Sequence, residues 1–128
     1  MLKPLVTAIN DFAVRTGIYL YFLIFFAGML LLLSVIPPIG KGINSGGSAH
    51  LLGYAVLAFL TLLLLKAKRV RSPLLKAALF AGTYGLFIEA IQFLIPYRNF
   101  EVSDIIYNFS AAFIGVIPCY FLIINEWI

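Results

Sequence analysis

Long apolar runs, separated by short hydrophilic segments, dominate this chain. The runs cover residues 18–36, 49–65, 74–95 and 104–124. A helix needs about 20 apolar residues to cross the hydrocarbon core of a bilayer. Pro37-Pro38 closes the first run and Pro96 closes the third. Because the connecting segments are short, consecutive helices are expected to run antiparallel. The pattern predicts an all-α membrane protein, a bundle of four transmembrane helices.

Residues 1–17 show a different pattern, with apolar and polar side chains on opposite faces of a helix. The apolar face carries Leu2, Leu5, Val6, Ile9, Phe12 and Ala13. The polar face carries Lys3, Thr7, Asn10, Asp11 and Arg15. This predicts an N-terminal amphipathic interfacial helix on the inner leaflet. A cleaved signal peptide is disfavoured, because the apolar run starts late, is long and is followed by two prolines.

Composition supports a lipid environment. The 128 residues are 63% hydrophobic and only 11% charged, whereas a soluble domain carries about 25% charged residues. The length suits one domain over residues 1–128, with no room for a second one. Cys119 is the single cysteine, so no internal disulfide can form, and we expect it to be a small buried side chain.

Basic residues predict the orientation of the bundle. Four of them lie close together between the second and third runs, without any acid: Lys66, Lys68, Arg69 and Arg71. The positive-inside rule places this loop in the cytoplasm, together with Lys3 and Arg15, whereas the other two loops carry only Lys41 and Arg98. The prediction is therefore N-in/C-in. Anionic membrane lipids explain the net charge of +4, and nucleic acid is not an expected partner.

Seven polar residues lie in or beside the apolar runs: His50, Tyr54, Glu89, Gln92, Arg98, Asp104 and Asn108. His50 is the only histidine, and Glu89 is the only acid inside an apolar segment. Burial of such groups in lipid costs free energy, so they usually mark a functional site. With the predicted orientation, all seven reach one depth range near the extracytoplasmic surface.

Small residues continue each polar stripe along its helix: Gly53 and Ala58 in the second run, Ala78, Gly82 and Gly85 in the third, and Ala111 and Gly115 in the fourth. Small residues let membrane helices approach closely. These faces should therefore point into the bundle, below an outward-facing polar pocket. Its rim could include Ser48, Tyr97, Ser103 and Tyr107.

Four of the seven residues are predicted to be catalytic. His50 and Glu89 could act as acid or base, and Asp104 could orient His50 as a carboxylate orients a catalytic imidazole. Arg98 could bind a phosphate or carboxylate through its guanidinium. Structural alternatives are an ion pair between Glu89 and Arg98, and capping of the fourth helix by Asp104 or Ser103.

The remaining three residues, Tyr54, Gln92 and Asn108, are predicted to contact the ligand. Their alternative is a packing role for the aromatic ring and hydrogen bonds between helices for the two amides. One histidine and two acids would make a weak metal site, so no metal and no cofactor are expected.

The order and spacing of these residues resemble the VanZ-like family of small bacterial membrane proteins. The resemblance rests on His50-x-x-x-Tyr54, Glu89-x-x-Gln92, Pro96-x-Arg98, and Asp104-x-x-x-Asn108 followed by Gly115. It covers about residues 40–118. Many members carry an acid–Lys pair shortly before the histidine, where this chain reads Gly46-Gly47-Ser48-Ala49. The resemblance implies the bacterial cytoplasmic membrane, a role in the cell envelope and a link to low-level resistance against teicoplanin-type glycopeptides.

Three functions follow as hypotheses. The first is an enzyme that acts on a lipid-linked or amphiphilic envelope substrate by acid–base or phosphoryl chemistry. An acyl-enzyme mechanism is disfavoured, because none of the Ser, Cys or Thr residues is a convincing nucleophile. The second is a non-catalytic binder of a lipid headgroup, a cell-wall precursor or a lipoglycopeptide. The third, a small transporter, is disfavoured because four helices without a repeat are few and the inner half lacks polar groups.

Overall fold

The computed structural model describes residues 2–36, 47–97 and 101–124, with only the backbone described at residues 47–51 and 123–124. These residues form four α-helices and no strand. The helices are α1 (Leu2–Val35), α2 (Gly47–Ala67), α3 (Pro73–Phe93) and α4 (Val102–Ile124). Apart from the start of α1, every end lies within two residues of its predicted position. The all-helical prediction is confirmed.

One continuous helix covers the N-terminal third of the described chain. Residues 2–35 form α1 without interruption. This corrects the prediction of a separate interfacial helix over residues 1–17 followed by a span over 18–36. Gly17 is the weakest point at that boundary, but a single glycine costs a helix only about 1 kcal/mol relative to alanine. Pro4 lies in the first turn, where proline is tolerated.

A tight turn joins α2 to α3. The N–H of Val70 donates to the carbonyl of Leu65 at 3.0 Å, and the N–H of Arg69 donates to the carbonyl of Lys66 at 2.9 Å. These two hydrogen bonds define a Schellman motif at the end of α2. Arg69 has φ 54°, and Ser72, just before Pro73, has φ 54° and ψ 57°. Proline at the first helical position then favours the start of α3.

Three of the helices form the core, and the fourth packs on its side. α2, α3 and α4 pack against one another, whereas α1 packs against α2 and, less extensively, α3. No contact between α1 and α4 occurs among the described residues. The fully buried apolar side chains all come from α2, α3 and α4: Leu57, Ala58, Leu62, Ala77, Ala78, Ala81, Ile88, Ala111 and Ala112.

The outer surface suits lipid. In the part of the chain that is described, three helical segments are long and apolar enough to cross a membrane: Leu2–Val35, Pro73–Phe93 and Val102–Leu122. The described apolar stretch of α2, Leu52–Ala67, is shorter. Pro118 lies inside α4, and transmembrane helices tolerate an internal proline because neighbouring groups satisfy the freed carbonyl. The chain is therefore a membrane protein with an all-helical fold.

Candidate functional site

Four buried polar side chains of α2, α3 and α4 lie toward one end of the bundle, and we call them the polar cluster: Tyr54, Glu89, Gln92 and Asn108. Glu89 and Asn108 are 0% exposed, Tyr54 is 3% exposed and Gln92 is 5% exposed. Buried polar groups are costly in an apolar interior unless other polar groups surround them. Their placement on three different helices brings residues that are far apart in the sequence into one interior region.

The polar cluster lies near one end of the bundle. Tyr54 is seven residues from the first residue of α2, Glu89 is four residues from the last residue of α3, and Asn108 is six residues from the first residue of α4. At 1.5 Å per residue, these positions are about 10, 6 and 9 Å from the helix ends on the same side. The connection between α2 and α3, residues 66–76, which we call the basic turn, lies at the opposite end. The polar cluster and the basic turn are therefore separated by most of the length of α3.

Small residues let the three helices approach closely around the polar cluster. A Cβ atom built on Gly85 would lie 2.7 Å from the Cβ of Asn108, so α3 leaves space for this amide only because it carries glycine there. A Cβ atom on Gly115 would lie 2.6 Å from the Cα of Ala55 in α2. Gly53, Ala58, Ala78, Gly82 and Ala111 are buried as well. The prediction that these stripes face the interior is confirmed.

Glu89 carries the carboxyl group of the polar cluster. This group and the Asp104 carboxyl group lie within electrostatic range of the Tyr54 side chain. The structure thus brings three of the predicted site residues, Tyr54, Glu89 and Asp104, near one another. A carboxyl group shielded from solvent near a hydroxyl group can hold or release a proton, which is the chemistry of a general acid or base.

Gln92 has a defined structural partner. Its side-chain Nε2 donates to the main-chain carbonyl of Ser34 at 3.1 Å. The hydroxyl of Tyr97 donates to the carbonyl of Val35. Both acceptors belong to the last turn of α1, whose carbonyls have no partner inside the helix itself. Gln92 therefore connects the polar cluster to the end of α1. This is the hydrogen bond between helices that was the alternative prediction for this residue.

Tyr84 is a residue that the sequence reasoning missed. Its half-buried side chain donates a hydrogen bond to the carbonyl of Ala27 in α1 at 2.5 Å. The available signal was a hydroxyl group inside an apolar span, on the helix that also carries Glu89 and Gln92. Tyr84 links α1 to the region of the polar cluster from the side.

Asp104 lies inside the first turn of α4, because that helix begins at Val102. It is half-buried, and its N–H donates to the carbonyl of Glu101 at 3.1 Å. Asp104 is thus not the residue that precedes the helix, and neither is Ser103, so capping by either of them is not what the structure shows. A carboxylate in the first turn still interacts favourably with the helix dipole.

The side chains of two predicted catalytic residues, His50 and Arg98, are not among those that the structure describes. His50 belongs to the first turn of α2, but its side chain lies outside the described residues, as does Ser48. Arg98 lies outside them entirely. Of the remaining rim residues, Tyr97, Ser103 and Tyr107 are exposed, and the Tyr97 hydroxyl bonds to α1.

Below the polar cluster the described interior is almost entirely apolar. Thr61 is the buried polar residue there, and its hydroxyl donates to the carbonyl of Leu57 within α2 at 2.8 Å. Cys119 is buried at 1% exposure, as expected. Among the described residues no three His, Cys, Asp or Glu side chains come together in a group that could hold a metal ion.

Comparison with known proteins identifies the family. No curated protein and no solved structure matches the chain. The model of the VanZ/LLP1 family matches residues 5–124, which is nearly the whole chain and includes all four helices almost completely. The chain belongs to the VanZ/LLP1 family.

Proposed function

We propose that this chain is a protein of the bacterial cytoplasmic membrane with four spans, both termini inside, and the polar cluster near the extracytoplasmic surface. The charge distribution supports the orientation, because the basic turn lies at the opposite end of α3 from Glu89. The positive-inside rule places such a turn in the cytoplasm.

Cysteine labelling tests the orientation. In a Cys119→Ser background, Glu101→Cys should react with a membrane-impermeant maleimide in intact cells, and Lys68→Cys should react only after permeabilisation. Both positions are exposed, so accessibility within the fold does not differ between them. Labelling of Lys68→Cys in intact cells would reject the orientation.

We propose that the polar cluster acts on a lipid-linked or amphiphilic envelope substrate by acid–base or phosphoryl chemistry. The observation that carries this proposal is the complete burial of the Glu89 carboxyl group near Tyr54, toward the end of the bundle opposite the basic turn. Ionisable residues inside membrane spans are functional by default, because the fold alone would favour an apolar side chain there.

Each residue has a role in this proposal. Glu89 transfers a proton during the reaction, and His50 is the second acid or base. Asp104 orients His50, and Arg98 binds a phosphate or carboxylate of the substrate through its planar guanidinium. Tyr54 and Asn108 contact the polar part of the substrate, and Gln92 contributes while it is anchored to α1.

A matched pair of carboxyl-to-amide substitutions tests catalysis. Glu89→Gln removes the titratable group at nearly constant shape, and Glu101→Gln makes the same change at an exposed position before α4. Loss of a general acid or base lowers a rate by about 10²- to 10⁴-fold. Lipids and envelope precursors of a deletion strain should therefore remain altered with Glu89→Gln and return to normal with the wild type and Glu101→Gln. Full complementation by Glu89→Gln would contradict the proposal.

The alternative is a binder without catalysis, for a lipid headgroup, a cell-wall precursor or a lipoglycopeptide. It is favoured by the close approach of Asn108 to Gly85, which holds this amide in a defined position inside the bundle. Ligand affinity separates the two. If the protein is an enzyme, Glu89→Gln and His50→Ala should abolish the phenotype while the ligand affinity stays within a few-fold. If it only binds, the ligand affinity and the phenotype should be lost together.

A small transporter is less well supported, because Leu62, Ala77 and Ala78 fill the inner half of the bundle.

The link to glycopeptide resistance is a further part of this proposal, and it is supported by the family resemblance alone. Expression of the wild type should raise the teicoplanin concentration that inhibits growth of a susceptible host, and Glu89→Gln should not. Equal inhibition of cells with and without the wild-type chain would show that this member does not confer resistance.

A further inference from the structure

Positive charge is concentrated in the basic turn, residues 66–76. It holds five of the nine Lys and Arg residues of the chain and no acid: Lys66, Lys68, Arg69, Arg71 and Lys76. Lys66 is half-buried and the other four are exposed. No ion pair to any of them is present within the described part of the chain. Four of these side chains are exposed, so their charge can meet a partner outside the protein.

The backbone of this turn is one that would favour glycine. Arg69 occupies the left-handed position of the Schellman motif with φ 54°, and Ser72 has φ 54° as well. L-amino acids with a side chain adopt this conformation at a cost, so glycine is the usual residue at this position. The chain instead carries a guanidinium there, which suggests that the charge has a use beyond the fold.

The basic turn also lies at the boundary between apolar and polar surface. The basic turn begins at the end of the apolar stretch of α2, Leu52–Ala67. Inside the basic turn, Leu75 is 53% exposed beside Lys76. Long basic side chains at such a boundary keep their methylene groups along lipid and extend the charged end to the headgroups. The phosphate groups of phospholipids occupy this level.

We propose that the basic turn binds the phosphate groups of anionic phospholipids in the leaflet that contains it. Arg69 and Arg71 offer planar guanidinium groups that match two oxygens of one phosphate, and the lysines add point charges. The backbone hydrogen bonds of the turn hold Arg69, two residues before Arg71, in a defined conformation. This goes beyond the orientation of the bundle, which requires only the number of positive charges.

Lipid retention tests this proposal on the full chain in nanodiscs of phosphatidylcholine with a minor fraction of phosphatidylglycerol. Both faces of a nanodisc are accessible, so an inverted topology would not change the result. The wild type should retain phosphatidylglycerol preferentially after partial delipidation, measured by mass spectrometry. The double variant Lys68→Gln/Arg71→Gln should reduce this preference by about fivefold for each charge removed.

The matched control is Lys3→Gln/Arg15→Gln, which removes the same charge from exposed positions of α1. This control variant should keep most of the preference for phosphatidylglycerol. Equal losses in both double variants, or no preference in the wild type, would overturn the proposal and leave only a general charge effect. Competition with inorganic phosphate separates the sources of the ligand: retention that free phosphate abolishes at constant ionic strength would show an anion site without lipid specificity.

Arg69→Gly keeps the experiment independent of folding. The substitution removes a guanidinium and at the same time relaxes the left-handed backbone, so a loss of lipid cannot result from an unfolded turn. We expect a preference reduced by about fivefold with an unchanged or higher thermal midpoint. An unchanged preference in this variant would show that Arg69 does not bind phosphate and would overturn the proposed two-arginine site.

Discussion

α1 and the unit formed by α2, α3 and α4 are held in the fold by different interactions. Leu23 is the buried residue of α1, whereas α3 alone contributes eight buried residues, including Ala77, Ala81 and Ile88. α1 packs on this unit through partly buried side chains such as Phe26, Leu30 and Leu31. It also accepts hydrogen bonds at the main-chain carbonyls of Ala27, Ser34 and Val35.

This difference shows which part of the molecule carries the chemistry. Every described member of the polar cluster lies on α2, α3 or α4, and α1 contributes acceptors that any residue type could supply. The three-helix unit requires particular small side chains at its contacts, and α1 requires mainly apolar character. Substitutions of the same kind should therefore have effects of different size in the two regions.

The largest difference is expected for truncation of leucine. Leu62 in α2 is 0% exposed, and Leu32 in α1 is 62% exposed. Leu62→Ala leaves a cavity and should lower the free energy of unfolding by about 2–5 kcal/mol. Leu32→Ala should change it by less than about 0.5 kcal/mol. Thermal unfolding of both variants in the same detergent measures this. Equal destabilisation would mean that α1 belongs to the core.

Enlargement of glycine gives the second contrast. Gly115→Leu places atoms against the backbone of Ala55, which cannot move aside, and should cost about 1–3 kcal/mol or more. Gly28→Leu in α1 meets open space, with nothing within 4 Å of its Cβ. The control should be neutral, or stabilised by up to about 1 kcal/mol through helix propensity. A stable Gly115→Leu protein would show that α2 and α4 separate more easily than their contact indicates.

Removal of the hydrogen bonds to α1 should loosen this helix and leave the core intact. Gln92→Leu with Tyr97→Phe removes two donors, each worth about 0.6 kcal/mol in a membrane protein. Spin labels at the exposed positions Leu32 and Leu94 should report a broader distance distribution. Tyr21→Phe, at an exposed tyrosine of α1, is the control. An unchanged distribution would mean that packing with α2 alone fixes α1.

The smallest expected effect has the opposite sign. Arg69→Gly relieves a left-handed residue and should stabilise the three-helix unit by about 1 kcal/mol. Arg71→Gly removes the same charge in the same turn, but Arg71 is not among the described residues with positive φ, so no stabilisation is expected. Equal thermal midpoints for the two variants would show that charge, and not backbone conformation, determines the stability of the turn.

Periodicity in the sequence was sufficient to predict the core helices and their inner faces. Small residues at Gly82, Gly85 and Gly115 are recognisable because close helix contacts in lipid need them. The burial of Glu89 followed from the same stripe. These predictions succeeded because they depend on side-chain size and polarity at helical spacing, which a sequence shows directly.

The connection of α1 could not be predicted in this way. Carbonyl acceptors such as those of Ala27 and Ser34 exist in every residue, so the sequence does not reveal which of them receives a hydrogen bond. The continuity of α1 is not predictable in this way either, because the change from an amphipathic to an apolar pattern at Gly17 predicts a boundary there. A change in pattern alters the environment of a helix and need not end it.

The length of α1 has a consequence for the membrane around it. Its 34 residues form a rod of about 51 Å, against a hydrocarbon core of about 30 Å. Tilting by 40°, the upper end of the usual range, would still leave a projected length of about 39 Å along the bilayer normal. About 9 Å of projected length, or eight residues of a helix tilted by 40°, must therefore extend beyond the hydrocarbon region at the least.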